Sequence, residues 1–513
     1  MSIVVTRSPS VAIRPSEPSA TSSKLVLSSF DKFFVGAPST VLLVFEHPIH
    51  DPVETIKRAL SHALHHSTPS PVALHGVLSL ARVGSGWGRE ERSPSVAIRP
   101  PEPSATSRKL VLSSFDKFFV GAPSTVLLVF EHPIHDLVET IKRALSHALQ
   151  HYHPFAGRLA GGEGDGDEEE VHIACTGEGA TFVAASANCA LRDVDFSEQQ
   201  ELLFELAVYY PGCKGCSRGD PLLMMQVTVF TCGGFVLGAS WHHVVADGAG
   251  MAQFLQAVGE LARGLPAPTV VPIRHDESLP AVPPTTLALK GLPTGDYHTD
   301  QPPEGHALLH VTIPWGFINR VRDELNFHPR CTAFEAVAAA IWRCRTRAVM
   351  TDPDAPALLL FTVNLRGYLG AKDGYYGNCI GMHMVVAPSC GMVANADVAE
   401  LVGMIRRAKE QMSGTFGGDD ADQLRAISEL RHVGYDNLLY VSCWRNLGFE
   451  EVDFGGGKTT RVMAYTEMAL GPPTGFLCMP CKGEEGANVT MSATGCVKPE
   501  HADAFVREIA TLK

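Results

Sequence analysis

The chain has no uncharged apolar run of transmembrane length and no basic tract, and behind its start, Met1-Ser2-Ile3-Val4-Val5-Thr6-Arg7, no apolar core of signal-peptide length. These absences lead to the expectation of a soluble cytoplasmic protein that does not engage a membrane. A net charge of −13 at pH 7 argues against nucleic acid as the main partner and leaves small molecules open. Charged residues are few, 19% against 45% hydrophobic, so 513 residues can bury more core than one typical domain holds. Two or three domains are expected. A disulfide framework is missing as well: the thirteen cysteines are odd in number and scattered, which suits reduced thiols.

Several chemical motifs are begun and not completed. Gly457-Lys458-Thr459 ends like a phosphate loop, but Val452 stands where that loop needs its first glycine. Gly238-Ala239-Ser240-Trp241-His242 lacks the final glycine of a nucleophile elbow, which argues against a serine hydrolase. The pairs Cys213/Cys216 and Cys478/Cys481 are too far apart for a zinc ribbon. A calcium loop starting at Asp165 would have Glu170 at its glycine place and Thr176 at its last ligand, so residues 161–170 read as a solvated hairpin loop. His242, His243 and Asp247 have no third ligand and no H-E-x-x-H, and no metal is expected.

A repeat is present. Residues 8–66 recur as 93–151, an offset of 85, with four differences: Ser16/Pro101, Ser23/Arg108, Pro52/Leu137 and His65/Gln150. Two near-identical copies and nothing further are a recent duplication, not a solenoid. Each copy carries an apolar run, Thr125 to Phe130 in the second, and then a helix start at Asp51 or Asp136 with Asp as cap and Glu three residues on. Both copies cannot fill one set of slots. Residues 1–92 are expected to be a truncated, surplus duplicate, with the working protein starting near Ser93.

The stretch Trp241-His242-His243-Val244-Val245-Ala246-Asp247-Gly248 organises the remainder. Phe235 to Ser240 reads as a strand paired with Leu222 to Phe230 across the turn Cys232-Gly233-Gly234. Met251, Phe254, Leu255, Val258 and Leu261 then recur at helical spacing, ended by Gly264 and Pro266. The histidines therefore sit where a strand hands over to a helix, and continued alternation would place Trp241 and His243 on one face and His242 on the other. An imidazole held there can take and return a proton near neutrality. Taken alone, a histidine near an apolar strand is usually a satisfied core residue, and Asp before Gly a turn former.

The string His243-x-x-x-Asp247-Gly248 resembles the HxxxDG signature of the plant BAHD acyltransferases, and further elements follow in order. Tyr152-His153-Pro154-Phe155-Ala156-Gly157-Arg158-Leu159 is similar to the family's Y-P-x-A-G-R-L segment, and Thr332-Ala333-Phe334-Glu335, a capping box, to its [ST]-x-F-E start. Asn364-Leu365-Arg366 and Tyr375-Tyr376-Gly377-Asn378 resemble N-x-R and Y-F-G-N. Ser442-Cys443-Trp444 and Asp453-Phe454-Gly455-Gly456-Gly457 resemble S-x-W and D-F-G-W-G, with Gly456 in place of the tryptophan. The resemblance runs from about residue 109 to the C-terminus.

The resemblance implies an α/β protein of two similar-sized domains, mixed sheets flanked by helices, with a fold like chloramphenicol acetyltransferase and a tunnel between the domains. Residues 93–270 would form the first domain, 271–305 a crossover linker and 306–513 the second domain. It implies acyl-CoA as co-substrate with no tightly bound cofactor, a small-molecule alcohol or amine as acceptor, and a monomer. His243 would be the general base, accepting the acceptor's proton during attack on the thioester and returning it to the CoA thiolate, without an acyl-enzyme. Asp247 would hold the loop by pairing with Arg366, and Gly248 would permit the turn into the helix. Asn378 would support the site, and Asp453, Phe454, Gly455 and Gly457 would form the donor-side loop. Two other readings remain open: a non-catalytic acyl-CoA binder, motivated by the duplication and Gly456, and a hydrolase with water as acceptor.

Overall fold

In the computed structural model the described residues are 91–513 apart from 103–107, 162–169, 195, 197–199, 211–215, 283–308, 325–329, 416–426, 429, 431–432, 434, 466–473, 479–485 and 492–496. The first copy of the repeat, the body of the acidic loop, Cys213, Cys481 and most of the expected crossover lie outside the described residues. Arg89–Lys513 forms a compact unit of its own.

In chain order the first half runs β1 (Glu91–Arg92), β2 (Val96–Ile98), β3 (Arg108–Val111), α1 (Ser114–Phe118), β4 (Pro123–Phe130), α2 (Leu137–His151), β5 (Arg158–Ala160), β6 (His172–Cys175), β7 (Ala180–Ser186), α3 (Gln200–Glu205), β8 (Leu223–Val229), β9 (Phe235–His242) and α4 (Gly248–Ala262). The second half runs β10 (Leu309–Pro314), α5 (Trp315–Glu324), α6 (Ala333–Val349), β11 (Ala357–Asn364), α7 (Arg366–Leu369), β12 (Ile380–Ala387), α8 (Cys390–Asn395), α9 (Val398–Thr415), β13 (Leu438–Cys443), β14 (Arg461–Tyr465), β15 (Thr474–Cys478), β16 (Gly486–Met491) and α10 (Pro499–Ala510).

Two large mixed sheets and a small one carry the fold. The first has the order β1-β7-β8-β9-β4-β14 with β2 also on β7; the second is β10-β16-β15-β13-β11-β12; the third is β3-β6-β5. Strands β7 and β8 run parallel and β8, β9 and β4 antiparallel, so the expected α/β class with mixed sheets holds. Strand β4 lies between β9 and β14 and is buried along its whole length, which is why it reads as an unbroken apolar run. Helices α2 and α4 turn Ile141, Leu145 and Leu149, and Met251, Leu255 and Val258, onto the first sheet, where they join Leu237, Ala239 and Trp241 in one core cluster. Each such side chain contributes about 1.5–3 kcal/mol by leaving water. A second cluster packs α6, α9 and α10 on the second sheet. Thr332 and Glu335 complete the capping box that opens α6.

Three details depart from expectation. Strand β1, at Glu91–Arg92 just ahead of Ser93, pairs with β7. Asp136 precedes α2 but makes no side-chain cap: it sits at φ 49°, and that left-handed turn carries its carboxylate away from the helix N–H groups. Strand β14, from the second half of the chain, completes the first sheet beside β4.

Candidate active site

His243 stands at the end of β9, where the strand's register with β4 stops at His242 opposite Pro123. A tight turn follows. Val245 N–H donates to the His242 carbonyl at 3.0 Å, and Trp241 Nε1–H to the Ala246 carbonyl at 2.9 Å, which brings Asp247 to the start of α4 as its N-cap.

The two histidines are used differently. Buried His242 has backbone N–H groups facing both ring nitrogens, Val244 at 3.2 Å from Nδ1 and Gly121 at 3.4 Å from Nε2, an arrangement with no room for a second ring proton. Burial, helped by the neighbouring His243, lowers its pKa to about 4. His243 is half-buried, and its Nδ1 lies 3.0 Å from Asn378 Oδ1. The Asn378 amide nitrogen donates to Asp116 Oδ1 and to the His243 carbonyl, each at 2.9 Å, which orients the amide with its oxygen toward the ring. An oxygen can only accept, so Nδ1 carries the hydrogen and the lone pair is on Nε2. Burial lowers the His243 pKa below its ordinary 6.5, against the opposing charge of Asp247, so the ring is neutral at pH 7.

Asp247 has no free lone pair. Arg366 donates to both oxygens at 2.9 Å, Gly250 N–H to Oδ1 at 3.0 Å and Cys379 N–H to Oδ2 at 3.0 Å. Burial alone would raise this carboxyl; Arg366 and the backbone donors overcome that and hold it below the usual carboxylate range. Arg366 also donates to the Tyr375 and Gly377 carbonyls, clamping the Tyr375-to-Cys379 segment on the turn. The structure thus gathers His243 and Asp247 from the first half with Arg366 and Asn378 from the second.

Gly248 departs from its expected part: its φ is outside the left-handed region, and a Cβ there would meet only Leu447 Cδ1, at 2.8 Å. The position that requires glycine is Gly250, where a Cβ would overlap the Tyr376 carbonyl.

The donor-side loop lies elsewhere. Asp453 Oδ1 accepts the N–H groups of Gly455 at 2.7 Å and Gly457 at 3.0 Å, and both glycines hold positive φ. Phe454 is buried against Phe130 and Phe235, at the ends of β4 and β9 remote from His242, roughly 23 Å along the strands. At Gly456 a Cβ would stand 3.0 Å from Ile134 Cγ1, so the β4–α2 connection closes on the place where a tryptophan would begin.

Sequence reasoning missed Asp116 and Arg274. Asp116, fully buried in α1, accepts from Asn378 and pairs with Arg274 at 3.0 Å, and Arg274 donates to the Val244 carbonyl at 3.2 Å. The S-x-x-D spacing of Ser113 and Asp116, a capping box in the structure, is the one local signal available, and such spacing marks a helix start but not where the carboxylate ends up. Ser240 Oγ is hydrogen-bonded to Thr125 Oγ1 at 2.8 Å in the interior. Among the described residues no group of three or more His, Cys, Asp or Glu is placed to hold a metal, and no helix is long and apolar enough to cross a membrane.

The model of the Transferase family matches residues 91–510. Acyl transferase 15 of Oryza sativa subsp. japonica is 48% identical over 437 residues, 82% of this chain and 98% of that protein. The chain belongs to the BAHD acyltransferases. The myricetin 3-O-glucosyl 1,2-rhamnoside 6'-O-caffeoyltransferase AT2 of Crocosmia x crocosmiiflora is 31% identical over 436 residues, covering 81% of this chain and 97% of that one. The crystal structure of vinorine synthase shares the fold at a TM-score of 0.65 and 21% identity, covering 83% of this chain and 98% of that one. As a BAHD protein the chain is an acyl-CoA-dependent acyltransferase for acyl groups other than amino-acyl.

Proposed function

We propose that His243 is the general base for transfer of an acyl group from an acyl-CoA thioester to a hydroxyl or amine of a small plant metabolite. One observation carries this reading: the Asn378 carbonyl takes the Nδ1 hydrogen, leaving Nε2 as a free lone pair on a neutral, partly exposed ring. Nε2 accepts the acceptor's proton as its oxygen or nitrogen attacks the thioester carbonyl. The same proton then passes to the departing CoA sulfur, and no acyl-enzyme forms. Asp247 and Arg366 act by holding the turn, since every oxygen lone pair of Asp247 is engaged.

The caffeoyltransferase relative supports a hydroxycinnamoyl-type donor in specialised metabolism. We infer a monomer from the family resemblance, and the nine cysteines described as free thiols support a cytoplasmic site. We read residues 93–270 and 306–513 as the two domains, linked by 271–305, with β14 of the second reaching into the first sheet and residues 1–92 a surplus duplicate whose last two residues pair with β7.

The test is incubation of the full chain with a panel of acyl-CoA thioesters and a mixture of plant alcohols and amines, products read by mass spectrometry. New esters or amides that fall about 10²–10⁴-fold in His243→Ala are expected. Equal product from that variant sinks the base; free CoA without acylated product would make the protein a hydrolase.

A further inference from the structure

Helix α1 reaches the site twice. Its Asp116 holds the Asn378 amide that fixes the edge of the His243 ring. Its C-cap, Phe119, covers the ring's face: the two centroids are 3.9 Å apart and the planes differ by 19°. Phe118 stands edge-on to Phe119, with centroids 4.9 Å apart and planes at 68°. A five-residue helix closed by its own capping box has little freedom to shift, so edge and face are set together.

We propose that Phe119 is a positioning residue of the transfer reaction: its ring fixes the plane of His243, and its π face stabilises the imidazolium present while the base holds the acceptor's proton. The proposal rests on His243 being that base. An imidazole free to rotate about its last torsion would sweep Nε2 away from the acceptor; Asn378 limits that rotation at one atom, and a stacked ring limits it over the whole plane. Between the neutral and protonated forms, an aromatic face within about 6 Å favours the cation. The charged groups facing the ring are Asp247, paired with Arg366, and Asp116, paired with Arg274; both favour the protonated form, and His242 lies on the other side of the strand end as a neutral neighbour. All of these remain when Phe119 is changed, so a change in titration isolates the stacked ring.

The sign separates a π contact from simple packing. An aliphatic replacement removes the π face and lowers the pH at which His243 loses its proton, whereas water admitted by loosened packing would raise it. The experiment uses the full chain as wild type, Phe119→Leu, Phe119→Met and Phe119→Tyr. Diethyl pyrocarbonate, which acylates histidine only in its neutral form, is applied across a pH series, and the rate at His243 is resolved from that at His242 by fragment mass spectrometry. The midpoint is expected to fall by about half to one pH unit in the Leu and Met variants and to stay at the wild-type value in the Tyr variant. With the acyl-CoA and acceptor pair found by the panel, kcat is expected to fall about tenfold in the aliphatic variants at little change in KM, and to recover in the Tyr variant. Equal midpoints in all variants, or raised ones with Leu and Met, overturn the proposal. If Phe119→Leu does not fold, the Met and Tyr variants decide. Undiminished transfer by His243→Ala would sink the base, and with it the role of Phe119 in transfer, while the modification midpoints would still report the ring contact separately.

Discussion

His243 and Asp247 differ in what remains unsatisfied on each. Asp247 spends both oxygens on Arg366, Gly250 and Cys379, while His243 engages Nδ1 alone. A group with nothing left to offer is a strut, and a group with a lone pair facing a partly exposed space is a reagent. Asn378 decides the second case, because its amide is pinned by Asp116 and cannot turn. Replacing Asn378 with Leu removes the acceptor that selects the tautomer, and the plateau rate is expected to fall roughly 10–100-fold. The pH dependence gives a second reading. The base must be neutral, so kcat/KM rises with pH through the His243 pKa, whose midpoint lies below 6.5 in the wild type. The hydrogen bond to Asn378 favours the protonated ring, so its loss moves that acidic limb to still lower pH. A lower plateau with an unmoved limb would show that Asn378 only props the surrounding backbone.

At the scale of elements, the junction of β9 and α4 was legible because the apolar period changes from 2 to 3.6 within a few residues, and that change is local. Arg366 could be nominated only through the order of family motifs, since it lies 119 residues from the carboxylate it pairs with. Asp116 was out of reach: its partner Asn378 is 262 residues away, and periodicity says nothing of what meets across a fold. The Asp136 cap failed for the opposite reason, because a local pattern was present but a left-handed turn turned the side chain away. The motif also misled about glycine. It marks Gly248, whereas the first turn of α4 is pressed against the Tyr376 carbonyl at Gly250. Alanine at 250 must therefore push backbone against backbone, at a cost of about 1–3 kcal/mol or more, while alanine at 248 asks only the end of the Leu447 side chain to move. Thermal unfolding of the two variants is expected to show a clear drop for Gly250→Ala and little change for Gly248→Ala. The reverse order would mean that α4 can slide from the Tyr375-to-Cys379 segment without loss.

For the whole molecule the question is which copy of the repeat the fold prefers. Residues 93–151 supply β2, β3, α1, β4 and α2, including Asp116 and Phe119, and the first copy holds the same residues as Asp31 and Phe34. Deleting residues 8–92 leaves one copy; deleting residues 67–151 leaves the other, joined through His66 to Tyr152 as His151 is joined now. The two variants differ only at the four unmatched positions. Pro101 lies at an exposed bend and Gln150 on the exposed side of α2, so neither should weigh heavily. Leu137 against Pro52 should. Proline suits the first position of a helix, a gain of up to about 1 kcal/mol. It also forces the preceding residue toward extended backbone, and Asp136 sits at φ 49°, ψ 44°. That strain costs of order 1–3 kcal/mol, and the loss of buried Leu137 adds to it. The loss outweighs the gain. The variant that keeps residues 93–151 is therefore expected to melt higher than the variant that keeps residues 8–66, with Pro52→Leu in the latter restoring most of the difference. Equal melting temperatures would show that the turn before α2 relaxes freely, and that either copy can complete the first sheet.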